Sequence, residues 1–199
     1  MKYYLEVILL PNGEIDLYFL WKKVYQQIHL GLVANKVDEN LSAIGVAFPH
    51  YNADKYCLGK TLRLFADNKE ILEKFNCKKW LDRLAGYVHY TDIRTVPEKI
   101  NSYAIYSRFH SKGQNIQRLA RRYAKRNSLT LEQAFQRYSY YVAKRSSLPF
   151  IRLKSLSTSK KNDEYNSFKL FIEKNLVEQL IRKGFSTYGL SPLSSVPEF

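Results

Sequence analysis

The sequence is poor in cysteine and contains no long apolar run. Cys57 and Cys77 form no CxxC pair and have no histidine nearby at a metal-binding spacing. This pattern favours two reduced core or surface thiols in a cytoplasmic protein. No apolar run reaches the roughly 18 residues that a membrane span requires, and the opening "MKYYLEVILLPNGE" is too short for a signal peptide. It predicts a first β-strand instead.

Acidic residues are missing from a long part of the second half. Between Lys99 and Leu131 there are eight positive residues and no acid. Residues 1–98 hold 13 Lys and Arg against 12 Asp and Glu, whereas residues 99–199 hold 19 against 6. Charge segregated in this way predicts a polyanionic partner. Nucleic acid is the first candidate, and an anionic membrane surface is the second.

The first half of the chain predicts alternating strands and helices. Asp16 is expected to cap a helix with apolar residues at helical spacing, which Gly31 loosens near its end. Asn68 is expected to cap a second helix that Gly86 stops. Strands are predicted at 2–10, 44–48, 60–66 and 87–96. The order βαββαβ is the ferredoxin-like, RRM-like pattern, which unrelated proteins also use, so it does not decide the function.

The second half predicts a different mixture of elements. Ser128 is expected to cap a helix, and "NIQRLARRYAKRN" is expected to form another. Strands are predicted at 101–110, 148–156, 167–175 and 185–191. We therefore predict an α+β protein with a ferredoxin-like domain over residues 1–97. Residues 98–199 would form a basic C-terminal α+β domain with an arginine-rich helix.

The predicted helix at 115–127 carries five cations and no acid. Its apolar residues recur at i, i+3, i+4 and i+7, as a buried stripe requires: Ile116, Leu119, Ala120 and Tyr123. Its cations share another face, with Arg121 on the flank: Arg118, Arg122, Lys125 and Arg126. A solvated face normally mixes acids with bases, so a phosphate backbone is the favoured partner and a merely solvated face is the alternative. The apolar face is small for a membrane-bound helix.

The strand before this helix offers a possible base-reading pair. Arg108 and His110 are two residues apart and are therefore expected to project to the same side. An arginine can contact guanine O6 and N7 together, and a neighbouring polar side chain could read the next base. Two ordinary surface residues are the alternative.

Several motifs together resemble one family. They are "QQIHLGLV", "IGVAFP", "SRFHSKGQNIQRLARRYAKRNSLT", "LPFIRLKSLST" followed by "SFKLFI", and "GFSTYGLS". Their combination, in this order along nearly the whole chain, resembles the type I-F CRISPR repeat-processing endoribonucleases. The resemblance implies a protein that grips the stem-loop of CRISPR repeat RNA, cuts at the 3′ base of the stem without metal or other cofactor, and keeps its product. It also implies a monomer that joins other protein subunits of the surveillance complex, away from any membrane.

The resemblance implies RNA-binding roles for particular residues. The helix with Arg122, Lys125 and Arg126 would lie along the stem's major groove. Arg108 would read a guanine, and His110 stands where a glutamine is usual. Phe168 is implied at the end of the stem, and Ser157 and Thr158 are implied in the protein loop around the scissile phosphate. Phe168 would stack under the last base pair, although its alternation with apolar neighbours also fits a core position.

The resemblance also implies a catalytic set. His29 would act as a general base, since a histidine pKa of about 6.5 suits proton transfer near neutrality. Ser155 would fix the attacking 2′-hydroxyl, and Tyr188 would orient the histidine. The expected products are a 5′-hydroxyl and a cyclic 2′,3′-phosphate, and the sequence shows no acidic cluster for a two-metal site. The alternative for His29 is an ordinary surface histidine or one whose hydrogen bonds are satisfied within the fold. The alternative for the protein is a non-cleaving subunit that binds an RNA hairpin.

Overall fold

The computed structural model describes residues 1–55, 57–100, 102–110, 116–138, 147–155 and 167–199. The α-helices are α1 (Leu17–Ala34), α2 (Lys69–Phe75), α3 (Cys77–Leu81), α4 (Ile116–Asn127) and α5 (Leu131–Arg137). The strands are β1 (Tyr3–Leu9), β2 (Leu41–Ser42), β3 (Gly45–Ala47), β4 (Thr61–Ala66), β5 (Val88–Tyr90), β6 (Arg94–Thr95), β7 (Ser102–Phe109), β8 (Phe150–Lys154), β9 (Ser167–Val177), β10 (Phe185–Ser186) and β11 (Val196–Glu198). The described chain is thus a mixed α/β structure with antiparallel sheets, as predicted at this level.

The first sheet has the strand order β3-β4-β1-β5, and β6 pairs with the other end of β1. Every neighbouring pair is antiparallel. Leu5, Val7 and Leu9 alternate along β1 and are buried, as expected for a strand with one face on the core. Helix α1 buries its predicted apolar stripe in the same core. Its cap is confirmed, because Asp16 Oδ1 accepts a hydrogen bond from the Phe19 backbone N–H at 2.7 Å.

The second sheet has the order β11-β7-β9-β8, again with antiparallel neighbours. Tyr106, Ile151 and Leu170 from this sheet belong to the same buried cluster as the apolar residues of the first sheet. Met1–Phe109 and Leu148–Phe199 therefore form one compact unit, whereas His110–Ser147 form another. The compact units do not follow the predicted boundary between residues 97 and 98, because the apolar side chains of the second sheet share the core of the first.

The strand predicted at 87–96 is divided into β5 and β6, and that predicted at 185–191 is limited to β10. Three predictions about helices also differ from the structure. Gly31 lies inside α1, where a Cβ would come within 2.7 Å of the Phe75 ring, so this glycine permits close packing and does not end the helix. The helix expected from Asn68 to Gly86 breaks at Asn76, which adopts a left-handed backbone with φ +47°. The Asn76 side chain then caps α3. Ser128 has φ +51°, and Thr130 is the actual cap of α5.

The smaller unit contains α4 and α5. Ala120, Ala124 and Ala134 are buried between these helices, and the Tyr123 and Tyr138 rings meet edge to face at 6.1 Å. The five predicted cations of α4 are all exposed. Of the predicted apolar stripe of α4, Ala120 is buried and Leu119 and Tyr123 are partly buried. Residues 139–145 of the helix predicted after Ser128 lie outside the described part. In the described ranges, no helix is long and apolar enough to cross a membrane.

Candidate functional site

His29 is held by a main-chain oxygen. Its Nδ1 lies 2.9 Å from the Thr187 carbonyl oxygen, which can only accept a hydrogen bond. Nδ1 therefore carries the hydrogen, and in the neutral ring the lone pair is on Nε2. Burial lowers the pKa of His29 below its ordinary value, against the opposing effect of the hydrogen bond to Thr187. The ring is thus neutral near pH 7, with one basic nitrogen available.

A tight turn presents Thr187 and Tyr188 to helix α1. The Gly189 N–H donates to the Ser186 carbonyl at 2.7 Å to close this turn. Gly189 has φ +71°, and a Cβ there would lie 2.4 Å from a Val46 methyl group, so only glycine fits. The Tyr25 hydroxyl donates to the Tyr188 carbonyl at 2.9 Å from the same side of α1. Burial raises the pKa of Tyr25, which keeps this hydroxyl a donor.

Four of the predicted residues form a continuous row. The His29 and Tyr188 rings stack with centroids 4.1 Å apart and planes within 2° of parallel. The Arg108 guanidinium carbon lies 5.7 Å from the centre of the Tyr188 ring and 5.2 Å from that of Phe168. A cation at these distances from aromatic rings is attracted to them. The row thus joins a neutral histidine to an exposed positive charge through the Tyr188 ring.

Ser155 directly follows β8, the edge strand of the second sheet. The backbone N–H of Lys154 donates to Gln26 Oε1 at 2.9 Å, which satisfies one of the unpaired groups of that edge. Gln26 lies three residues before His29 on α1, or about 4.5 Å along the helix axis. The amide Nε2 of Gln26 is buried and has no hydrogen-bond partner among the described residues. This link ties the segment before Ser155 to the helix that carries His29.

The remaining predicted residues are less closely placed. His110 is exposed and comes one residue after the end of β7, so its projection beside Arg108 stays a prediction. Ser157 and Thr158 lie outside the described residues. The cations of α4 belong to the second compact unit and are exposed there: Arg118, Arg121, Arg122, Lys125 and Arg126. Across the described ranges, no group of three or more His, Cys, Asp or Glu could hold a metal ion.

The sequence did not indicate the contacts by which Tyr25, Gln26 and the Thr187 carbonyl hold this site together. Tyr25 and Gln26 share the side of α1 that carries His29, but their partners lie 163 and 128 residues away. The Thr187 group that binds His29 is a backbone carbonyl, which every residue type has. The helical spacing of Tyr25, Gln26 and His29 was the one available signal.

Comparisons with known proteins identify the family. The model of the CRISPR-associated protein family Cas_Csy4 matches residues 4–199. A CRISPR-associated endonuclease Cas6/Csy4 of Escherichia coli (strain UTI89 / UPEC) is 34% identical over 200 residues and covers 100% of both chains. One of the same name from Pseudomonas aeruginosa (strain UCBPP-PA14) is 32% identical, also over 100% of both chains.

A solved structure described as "Characterization of a Cas6-related gene from Pyrococcus furiosus" covers 98% of this chain and 99% of its own, with 12% identity and a TM-score of 0.31. That likeness is too distant to bear on the fold. The family model and the two full-length relatives are sufficient, and they confirm the resemblance seen in the motifs: the chain belongs to the Csy4 family of CRISPR-associated proteins.

Proposed function

We propose that this protein is an endoribonuclease that binds the stem-loop of CRISPR repeat RNA and cuts it at the 3′ base of the stem. Its family, and two full-length relatives that are named CRISPR-associated endonucleases, support this activity. The observation that carries it is the state of His29, a neutral ring whose Nδ1 is engaged by the main chain. Nε2 is thereby left as a base. The His29 ring stacks on Tyr188, which is followed in the row by Arg108 and Phe168.

The reaction needs only the RNA's own 2′-hydroxyl as nucleophile. His29 Nε2 takes the proton of the 2′-hydroxyl. The 2′-oxygen then forms a bond to the adjacent phosphorus, while the bond from phosphorus to the 5′-oxygen breaks. The leaving 5′-oxygen takes up a proton, which gives a 5′-hydroxyl and a cyclic 2′,3′-phosphate. Ser155 hydrogen-bonds the 2′-hydroxyl and holds it in line, and Tyr188 keeps the imidazole plane fixed.

The end of the stem would be recognised next to the reacting atoms. Arg108 contacts a guanine edge, and Phe168 stacks under the last base pair. The distance of 5.2 Å between the guanidinium and the Phe168 ring supports action on the same base pair. His110 would contribute to base recognition, and Ser157 with Thr158 would shape the loop around the phosphate.

We infer that catalysis and RNA binding divide between residues 1–97 and residues 98–199, a boundary that differs from that of the two compact units. Residues 1–97 supply the catalytic histidine from a ferredoxin-like module, which the order β3-β4-β1-β5 supports because it is the ferredoxin-like order of a βαββαβ chain. Residues 98–199 supply the grip on RNA. Helix α4 would lie along the stem and contact phosphates through its exposed cations: Arg118, Arg121, Arg122, Lys125 and Arg126. The cut product stays bound to the cytoplasmic monomer, which then joins other subunits of the type I-F complex.

The direct test is cleavage of a repeat hairpin in excess EDTA. We expect a single cut at the 3′ base of the stem, at a rate unchanged by the chelator, because His29 and the 2′-hydroxyl supply the chemistry. A 2′-deoxy substitution just upstream of the scissile phosphate should abolish the cut, because it removes the nucleophile.

An RNA of the same composition without a stem is the control and should remain intact. A strict requirement for Mg²⁺, or cleavage of the 2′-deoxy RNA, would refute the mechanism. Tight binding without any cleavage would instead favour a non-cleaving hairpin-binding subunit.

Gln26 provides a second test, because it ties β8 to α1 just before Ser155. Gln26→Leu removes the acceptor for the Lys154 N–H and should slow single-turnover cleavage about tenfold, since small displacements of reacting groups are costly. Hairpin affinity should stay near that of the wild type. Gln26→Glu keeps an acceptor at this place and should retain more of the rate, and equal losses in both variants would contradict the role.

A further inference from the structure

A cleft of about 280 Å³ lies between the first turns of α1 and the edge strand β8. These are the two elements that carry His29 and lead into Ser155, and they lie in the same compact unit. The cleft is lined by Asp16, Tyr18, Phe19, Lys22, Phe150 and Arg152. None of these residues has a part in the reaction described above, so the cleft needs an explanation of its own.

Exposed aromatic rings are the first feature of this cleft. Tyr18 is 60% exposed and Phe19 is 46% exposed in the first turn of α1, whereas Leu20, Trp21 and Val24 in the next turn are buried. Phe150, across the cleft on β8, is partly buried and has its ring 5.3 Å from that of Phe171. Exposed aromatic rings that lie together in one cleft are a feature of binding surfaces.

Positive charge beside two of the three rings is the second feature. Lys23 Nζ lies 5.3 Å from the centre of the Phe19 ring, and Lys169 Nζ lies 4.4 Å from that of Phe150. Lys22 and Arg152 add two more cations to the lining. The one acid in the lining is already engaged as the N-cap of α1. Rings interleaved with cations are the features that bind single-stranded nucleic acid, where bases stack and phosphates are neutralised.

We propose that this cleft binds the single-stranded RNA that follows the cut, the 3′ flank of the hairpin. The proposal rests on the function proposed above and names a further part of the same substrate. Lys22 precedes His29 by about 10 Å of helix, and Arg152 precedes Ser155 by about 10 Å of strand. At roughly 3.4 Å per stacked nucleotide, the cleft lies about three nucleotides from the scissile phosphate. The RNA segment that begins at that phosphate is the 3′ flank.

The register of β8 supports the same direction. Leu153 pairs with Phe168 on β9, so these two side chains lie on one face of the sheet. Phe150 and Arg152 alternate with the buried residues of β8 and therefore project from the other face. The cleft is thus on the opposite side of β8 from Phe168, the ring that we assign to the stem. RNA that leaves the stem after the cut site would have to pass to that side.

Binding of uncleavable RNAs would test this inference. The RNAs carry the 2′-deoxy substitution, and the set comprises the hairpin alone, the hairpin with six unpaired nucleotides on the 3′ side, and the hairpin with six on the 5′ side. The 3′ flank should tighten wild-type binding at least about fivefold, the equivalent of a weak base–aromatic stack. The 5′ flank should add little. A gain from the 5′ flank alone, or from neither flank, would overturn the proposal.

Two exposed positions make the test specific. Tyr18→Ala and Arg152→Ala should each reduce the gain from the 3′ flank and leave the affinity for the hairpin alone unchanged. Arg83→Ala, which removes the same charge from another exposed position, should keep the full gain. A gain that survives in the combined Tyr18→Ala, Arg152→Ala variant would overturn the cleft as the site. Failure of the wild type to bind the hairpin alone is a different result, which would refute the proposed function and this inference with it.

Discussion

His29→Ala is expected to slow cleavage by about 10²–10⁴-fold, the usual contribution of a general base, while hairpin binding stays near that of the wild type. The reason is the separation of tasks within the molecule. In the proposed function, His29 offers Nε2 as a base because Thr187 engages its other ring nitrogen, whereas exposed cations elsewhere would supply the affinity. Single-turnover rates and equilibrium binding on the same RNA, at matched salt, measure the two effects separately.

The pH dependence gives an independent readout of the same group. Only the neutral imidazole accepts a proton, so the wild-type rate should fall as the pH drops through the pKa of His29. Because burial lowers that pKa, the fall should occur below the ordinary value of about 6.5, and it should be absent in His29→Ala.

His89→Ala removes an exposed histidine of the first sheet and should change neither rate nor binding. If His29→Ala instead cleaves at the wild-type rate, His110 becomes the next candidate base. If it loses binding while it keeps its fold, the separation of grip and chemistry is wrong.

The combined replacement of Arg122, Lys125 and Arg126 by alanine should weaken hairpin binding about 100-fold near physiological salt. Each contact between a cation and a phosphate in high dielectric is worth about 1 kcal/mol, and every 1.4 kcal/mol is a factor of ten. The slope of log affinity against log salt should also fall by up to about 0.9 for each lost contact. Cleavage at saturating protein should be nearly unchanged, because the row from His29 to Phe168, where we propose that the reaction takes place, is intact.

A matched control removes the same charge from other exposed positions. Lys74, Lys78 and Lys183 are exposed in the larger unit, and their combined replacement by alanine should leave both the affinity and the salt slope close to those of the wild type. Equal losses in the two triple variants would mean that net charge, and no particular helix, attracts the RNA.

Elements with local signals were predictable from the sequence. Strand β1 has alternating apolar residues, and α1 has both an apolar stripe and a capping aspartate, so each follows from its own neighbours in the chain. The exposed cationic side of α4 follows from helical spacing in the same way. His29, Arg108, Phe168 and Tyr188 were identified by resemblance, and the structure brings their side chains into one row.

Elements that depend on distant partners were not predictable. Strand β11 lies in the Pro- and Ser-rich tail and exists because it pairs with β7, and β2 exists because it pairs with β10. Asn76 breaks a pattern that reads as one continuous helix, since asparagine tolerates a left-handed backbone better than most residues. The hydrogen bond from the Lys154 N–H to Gln26 joins two segments 128 residues apart, and the local sequence of neither segment indicates the other.

The oxygen that fixes the tautomer of His29 belongs to the main chain. Any residue at position 187 would supply the same carbonyl, so the side chain there can drift during evolution without changing which nitrogen acts as the base. The constraint is transferred to Gly189, where the backbone conformation and the nearby Val46 methyl group leave no room for another residue. If His29 is the base, selection on its reactive form would be recorded at Gly189, two positions after the carbonyl that holds the ring and at a residue with no functional group at all.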